Sequence, residues 1–227
     1  MKIDILSLFP EMYNGPFTES ILKRAQAEGK VEIKIHNFRD WSLDPHHNVD
    51  DTPFGGGSGM VLACGPIFDC INDLKKEDSL VIMMTPSGKV YNQEMAYELS
   101  HKSHLIILCG HYEGFDERIR SICDMEISIG DYILTGGELP SMVLVDSIIR
   151  LLPGVIDSES SLNESFNNHL LDYPVYTKPR VYNGMAVPDV LLSGDHAKIR
   201  EYRHNEQIRK TKELRPDLLQ GDYNEDK

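Results

Sequence analysis

The chain has 227 residues, 41% of them hydrophobic and 26% charged, with a formal net charge of −13. That length buries a sizeable core in one large domain or two smaller ones. The acidity argues against indiscriminate nucleic-acid binding, and no run of roughly 18 apolar residues suggests a membrane span.

In chain order, Ile3, Ile5, Leu6, Leu8 and Phe9 read as a first strand, entered from Met1-Lys2 without a signal-peptide core and cleavage site. Pro16 to Glu28 reads as a helix with Phe17, Ile21, Leu22 and Ala25 on one side, and Gly29 ends it. Val31, Ile33 and Ile35 alternate as a second strand. A long loop, Asn37 to Gly59, carries His46, His47, Asp50, Asp51 and the run Gly55-Gly56-Gly57-Ser58-Gly59. Long loops inside compact domains are usually functional. Pro66 suits the first turn of a helix bearing Phe68, Ile71 and Leu74. Leu80 to Met84 is a buried strand, and Asn92 caps a helix whose inner face is Met95, Ala96 and Leu99. His101 and His104 are expected at that helix's end.

Leu105 to Leu108 is a further strand, ending at Gly110. A second apolar run ends at Gly130, Gly136 and Gly137 follow, and a helix from about Leu139 runs to Pro153-Gly154. Alternating strands and helices imply an α/β fold: a mostly parallel sheet with helices on both faces. Asp157 to Asn168 is polar and reads as a mobile connector. A small helical second domain follows, with a helix from His196 to Lys212, a short one after Arg215, and a frayed tail from Gly221. The expected domains are thus 1–156, 157–168 as an interdomain loop, and 169–227.

Strands that end abruptly in glycine let main-chain amides approach a ligand, and open α/β sheets bind ligands at their strands' carboxyl ends. The stretch Leu105–Pro140 therefore reads as a cofactor site built from backbone. Its glycines do not make G-x-G-x-x-G, and the Gly55–Gly59 run is not a phosphate-binding loop, since no Lys-Ser/Thr follows it. The same loops carry Glu113, Asp116, Glu117, Asp131 and Glu138 against Arg118 and Arg120. That balance favours a cationic ligand such as a sulfonium. His46 and His47 lack metal-ligand spacing, and no metal centre is expected. The four cysteines, Cys64, Cys70, Cys109 and Cys123, form no C-x-x-C pair and read as reduced thiols of a cytoplasmic protein. Tyr176 to Pro216 holds nine Lys/Arg against five Asp/Glu, a basic segment on which a polyanion could dock, with Arg200, Arg203 and Arg209 as candidate contacts.

The runs Leu108-Cys109-Gly110-His111-Tyr112-Glu113-Gly114-Phe115-Asp116-Glu117-Arg118 and Ser128-Ile129-Gly130-Asp131-Tyr132-Ile133-Leu134-Thr135-Gly136-Gly137-Glu138-Leu139-Pro140 closely resemble the bacterial tRNA (guanine-N1)-methyltransferases. So do Ser7-Leu8-Phe9-Pro10, Val49-Asp50-Asp51 with the glycine loop, Leu170-Leu171-Asp172, Tyr176-Thr177-Lys178-Pro179 and Leu192-Ser193-Gly194. The resemblance covers nearly the whole chain. It implies a SPOUT fold with a trefoil knot, which periodicity alone does not reveal and which chains in general avoid. It also implies S-adenosylmethionine as methyl donor, with Mg²⁺ left open as a second cofactor. The partners it implies are tRNA and a second copy of the chain, in a homodimer with the active site between subunits and no membrane.

The same resemblance assigns cofactor contacts to Thr85, Pro86, Gly110, Tyr112, Glu113, Ile129, Gly130, Asp131, Tyr132, Ile133, Leu134, Gly136, Gly137 and Pro140. It assigns substrate contacts to His46, Asp50, Ser58, Gly59, Ser165 and Asp172, and catalysis to Arg150 and Glu164. The reaction implied is methylation of N1 of the guanosine immediately 3′ of the anticodon, position 37, with Glu164 as general base and Arg150 stabilising charge at O6. The chain departs from the family's usual residues at Glu164 (usually Asp), His111 and Lys178 (Arg), His169 (Gly) and Asp195 (Asn or His). Two other functions are consistent with the residues: a tRNA-binding regulator without methyl transfer, and a small-molecule methyltransferase, which would leave the basic segment without a role.

Overall fold

The computed structural model describes residues 1–157 and 164–219. Residues 158–163 of the expected connector, and the tail from Gly221, lie outside the described residues. The chain divides into two units, Met1–Ile156 and Asp157–Lys227.

The first unit is built on a five-stranded parallel sheet. Its strands are β1 (Lys2–Ser7), β2 (Glu32–Asn37), β5 (Ser79–Val90), β6 (His104–Cys109) and β7 (Met125–Ser128), in the order β2-β1-β6-β5-β7. Two-residue strands β3 (Asp50–Asp51) and β4 (Val61–Leu62) pair separately, so the glycine run lies in the loop between them. Side chains alternate across a strand, and both faces of this sheet are covered. Ile3, Ile5, Ile82, Leu105 and Ile107 pack under helices α1 (Ser20–Ala27), α3 (Gln93–Ser100) and α4 (Glu138–Ile149). Leu6, Val81, Met83, Ile106 and Leu108 pack under α2 (Cys64–Leu74) and the short helical turns Phe38–Trp41 and Glu117–Ile122. Each fully buried Leu or Ile contributes about 1.5–3 kcal/mol, and β6, buried along its whole length, is the centre of the unit.

Two expectations need correction. The first helix starts at Ser20, because φ of 51° there keeps Pro16 to Glu19 out of it; Phe17 is still buried, while Ile21 is exposed. Helix α2 buries Ile71 as expected, together with Ile67 and Cys70, and Phe68 and Leu74 pack against the same cluster. His104 does not end a helix: it opens β6 and is buried, bonded to Ser79 Oγ at 2.7 Å and to Asp4 at 2.7 Å. His101 does cap α3, whose start is held by Asn92 Oδ1 accepting from Met95 N at 2.9 Å.

The second unit has a hairpin, β8 (Val181–Tyr182) with β9 (Met185–Ala186), and helices α5 (Asp189–Leu192) and α6 (His196–Leu214). Asp195 caps α6 by accepting from Ala197 N and Lys198 N, both at 3.2 Å. Asp is itself a strong N-cap residue, so the start of α6 is satisfied here. Thr211, fully buried, accepts from Leu171 N at 2.9 Å and donates to Gln207 O at 2.7 Å, which straps the incoming segment along α6. Among the described residues no helix is long and apolar enough to cross a membrane.

Candidate active site

A cavity of about 210 Å³ opens where β6 and β7 end, beside a bulge in β5. Its walls are three loops and the start of α4. Strand β5 pairs with Ile127 at both Met84 and Lys89, so Thr85 to Gly88 bulges out between the two pairings. Gly88 is obligatory there, since a Cβ would lie 2.5 Å from Ile127 N. Arg120 braces the bulge: it donates to Ser87 Oγ at 2.9 Å and pairs with Glu126 at 2.5 Å and Glu117 at 3.0 Å.

The second loop leaves β6 at Gly110, where a Cβ would lie only 2.7 Å from the Phe115 ring. Tyr112 follows with φ of 60°, a left-handed conformation uncommon for a residue with a side chain and frequent at functional sites. The third loop leaves β7 through Gly130, over which Tyr132 folds, and returns at Gly137. Gly137 N donates to Gly110 O at 2.9 Å. A Cβ at Gly137 would meet Cys109 Cα at 2.7 Å, so the two loops touch backbone to backbone.

Thr85, Pro86, Gly110, Tyr112, Glu113, Ile129, Gly130, Tyr132, Ile133, Leu134, Gly136, Gly137 and Pro140 all line this cavity. Asp131 is exposed and stands outside the lining. His111, Phe115, Ser128 and Thr135 also line it; they sit inside the same motif runs, and only their direction into the cavity was missing from the sequence.

The electrostatics differ from a simple count of loop carboxylates. Arg118 grips Asp116 with two hydrogen bonds, at 2.9 and 2.6 Å, and the guanidinium holds that carboxyl down at about 2. Glu117 is engaged by Arg120. Glu138 is fully buried, with Ser7 Oγ donating to Oε1 at 2.6 Å and His111 Nε2 at 2.9 Å from Oε2. Gly136 lies directly over this pair, where a Cβ would collide with both His111 and Glu138. Ser7, the first residue of the Ser-Leu-Phe-Pro motif, thus serves as an anchor beneath the third loop. Behind it, burial pushes the Cys109 thiol up to about 12 despite hydrogen bonds to Ser141 and Tyr13, so it is an inert core group. Glu113 is left as the carboxylate in the cavity lining.

The glycine loop is stitched to the cavity. Glu113 N donates to Met60 O at 3.0 Å, Leu62 N to Gly114 O at 2.9 Å, and Asp116 N to Leu62 O at 2.9 Å. Gly59, with φ of 84°, sits against Glu113, whose Cγ a Cβ would approach to 2.5 Å. Ser58 is exposed beside it, Asp50 lies in β3, and His46 is exposed, its N–H donating to Asp44 at 2.8 Å. Arg150 directly follows α4, with its N–H bonded to Asp146 O at 3.2 Å, and is outside the cavity lining. Glu164, Ser165 and Asp172 belong to the second unit, where Ser165 Oγ accepts from Asp172 N at 3.0 Å.

The model of one protein family, described as tRNA (Guanine-1)-methyltransferase TrmD, matches residues 1–221. Curated relatives carry the name tRNA (guanine-N(1)-)-methyltransferase. The protein of Dictyoglomus turgidum is 57% identical over 221 residues, covering 97% of this chain and 90% of its own. Those of Chloroflexus aggregans and Dehalococcoides mccartyi are 53% and 52% identical, covering 96% and 97% of this chain and 88% and 91% of their own.

Proposed function

The chain belongs to the tRNA (guanine-1)-methyltransferase family, and on that premise we propose that it methylates N1 of the guanosine immediately 3′ of the anticodon, position 37, from S-adenosylmethionine. The observation that carries this reading is the cavity whose walls are glycine backbone. At Gly110, Gly136 and Gly137 the space of a Cβ is taken by Phe115, by His111 with Glu138, and by Cys109, so the loops pack closely and these glycines bring main chain into the cavity lining. Ile129, Tyr132, Ile133 and Leu134 supply apolar surface, and Glu113 supplies one carboxylate for a cationic ligand. This donor set fits S-adenosylmethionine, which supplies, when bound, a methyl group activated by a sulfonium. A trefoil knot is part of the same proposal, and membership of the family supports it. Mg²⁺ finds no comparable cage: among the described residues no cluster of three His, Cys, Asp or Glu could hold an ion.

Guanine N1 carries a proton at neutral pH, so a base must remove it before N1 can attack. Glu164 takes that role, and Arg150 stabilises the negative charge that spreads toward O6. Extruding the target from a single-stranded loop costs a few kcal/mol, and His46, Asp50, Ser58, Gly59, Ser165 and Asp172 frame the extruded guanine. The proposal includes a homodimer with the active site between subunits. Helix α4 supports it: Met142, Leu144 and Val145 are buried, yet Leu139 and Val143 on the outer side are about half exposed. A helix apolar all round is ordinarily covered. Four free cysteines accord with a cytoplasmic location.

A methyl-transfer assay with labelled cofactor, on tRNAs bearing guanosine or adenosine 3′ of the anticodon, tests the reading. Methylation mapped to N1 of the guanosine is expected; binding without transfer would make the chain a regulator instead. Single-turnover rates are expected to fall at least 10²-fold in Glu164→Gln and to survive in Glu164→Asp. An unimpaired Gln variant would remove Glu164 as the base.

A further inference from the structure

The second unit has a cavity of its own, about 510 Å³, between residues 173–180, the β8–β9 hairpin and helices α5 and α6. That size is within the ~300–1,000 Å³ of pockets that enclose small ligands. Leu191 and Ile199 give it an apolar floor, and Tyr173 and Tyr176 stand at its side. Lys178, Arg180 and Arg203 line it, and none of its lining residues is acidic.

Several cations elsewhere in the unit are already paired. Lys198 is paired with Asp195, Arg209 with Glu206 and Glu213, and Arg215 with Asp217. Among the described residues no ion pair takes up Lys178, Arg180 or Arg203. Arg203 instead lies over the Tyr173 ring, 4.7 Å from its centroid. On a chain of net charge −13, three cations uncompensated in one aromatic cavity are suited to an external anion. Aromatic rings beside unpaired cations are what single-stranded nucleic acid requires, a face for the base and charge for the phosphate.

We propose that this cavity is a nucleotide subsite, which takes one unstacked base of the tRNA with its phosphate, a nucleotide other than the guanosine that is methylated. The base stacks on Tyr176, and Lys178 and Arg180 hold the phosphate. This rests on tRNA being the substrate, and the basic surface it assigns is the cavity, not the outer face of α6, where Arg209 is already paired.

The test uses the full chain. Lys178→Ala with Arg180→Ala is expected to raise the KM for tRNA about 10-fold at constant kcat and cofactor Kd. It should also flatten the slope of log Kd against log salt by roughly 1–2. Tyr176→Ala is expected to weaken tRNA binding about 5- to 100-fold, with Tyr176→Phe restoring it. Substrates with an abasic site at each single-stranded position then locate the base. At one position the abasic tRNA should bind the wild type as weakly as intact tRNA binds Tyr176→Ala, with no further loss when the two are combined. Additive losses at every position, an unchanged salt slope, or a cavity that binds an acidic peptide without affecting tRNA would each overturn the subsite, while N1 methylation by the wild type would still stand. Failure of the wild type to bind tRNA at all would remove both readings together. If Tyr176→Ala does not fold, judged by its Tm, Tyr176→Phe and Arg180→Gln with the salt slope decide the question.

Discussion

The two ends of the central sheet are built on opposite plans. Toward the amino-terminal ends of β1, β5 and β6, Asp4 is fully buried and every neighbour is a fixed partner. It accepts from His104 Nε2 at 2.7 Å, from His36 Nε2 at 2.8 Å and from Lys2 Nζ at 2.5 Å. His104 in turn reaches Ser79 Oγ, and Ser79 Oγ accepts from Lys76 N at 2.7 Å. At the carboxyl-terminal ends, side chains give way to glycine and bare main chain, and Tyr112 holds a strained φ. One end fills its polar groups from within and contributes rigidity; the other leaves space and backbone for a ligand. Damage at the first end should therefore appear in stability, and damage at the second in binding.

The largest expected effect is at Asp4. Asp4→Ala strands His36, His104 and Lys2 around a buried gap, and a loss of about 3–5 kcal/mol is expected, read from urea denaturation. The residual folded protein should bind cofactor normally; a variant stable but defective in binding would break the contrast between the ends. Acid should reproduce the effect. Burial by itself raises the Asp4 carboxyl, but hydrogen bonds from His36, Lys2 and His104 outweigh it and hold it well below the ordinary carboxylate range. Its stabilisation is then complete above the unfolded value of about 3.9 and is lost as pH falls from there through the lower folded value. Denaturation midpoints taken downward from pH 5 should drop steeply in the wild type and less in Asp4→Asn.

Gly137→Ala is next. Its Cβ would meet Cys109 Cα and Gly110 N, at 2.7 and 2.9 Å, and neither is a side chain that can swing away. Overpacking of this kind costs typically about 1–3 kcal/mol, and here it separates the two loops of the cavity, so cofactor binding by calorimetry should be lost although the protein still folds. Gly114→Ala is the control for crowding, because nothing lies within 4 Å of its Cβ position; its φ of 105° still imposes strain, so a modest loss of stability is expected while the loops stay in contact.

Most of the sheet was legible because burial on both faces writes itself as apolar runs: β6 reads as one unbroken stretch, and Ile3 and Ile5 alternate with Asp4 and Leu6. Asp4 carries no local mark of burial, since its partners lie up to 100 residues away. The same holds for His104, as a histidine beside a helix end and one that begins a strand look alike until the strand's neighbours are known. The cavity residues came through motif resemblance, not periodicity. The acidic balance of the loops was legible as composition but not as field: Asp116, Glu117 and Glu138 all have partners, and Glu138 finds Ser7 across 131 residues.

That last point sets the smallest prediction. If the cavity attracts a cation through its whole acidic surroundings, neutralising one carboxylate should be nearly silent. If the partnered carboxylates are electrically spent, Glu113 carries the effect alone. It is exposed, so its interaction with a bound cation is screened and is worth about 1 kcal/mol or less, which is roughly fivefold in Kd. Glu113→Gln should weaken S-adenosylmethionine by about that factor, more at low salt than at high, and leave the thermal midpoint unchanged. Glu117→Gln, which removes a carboxylate already held by Arg120, should leave cofactor affinity where it was. Equal effects at the two positions would mean that the cavity senses total charge, and the separation between a saturated end and an open end of the sheet would then be one of shape only.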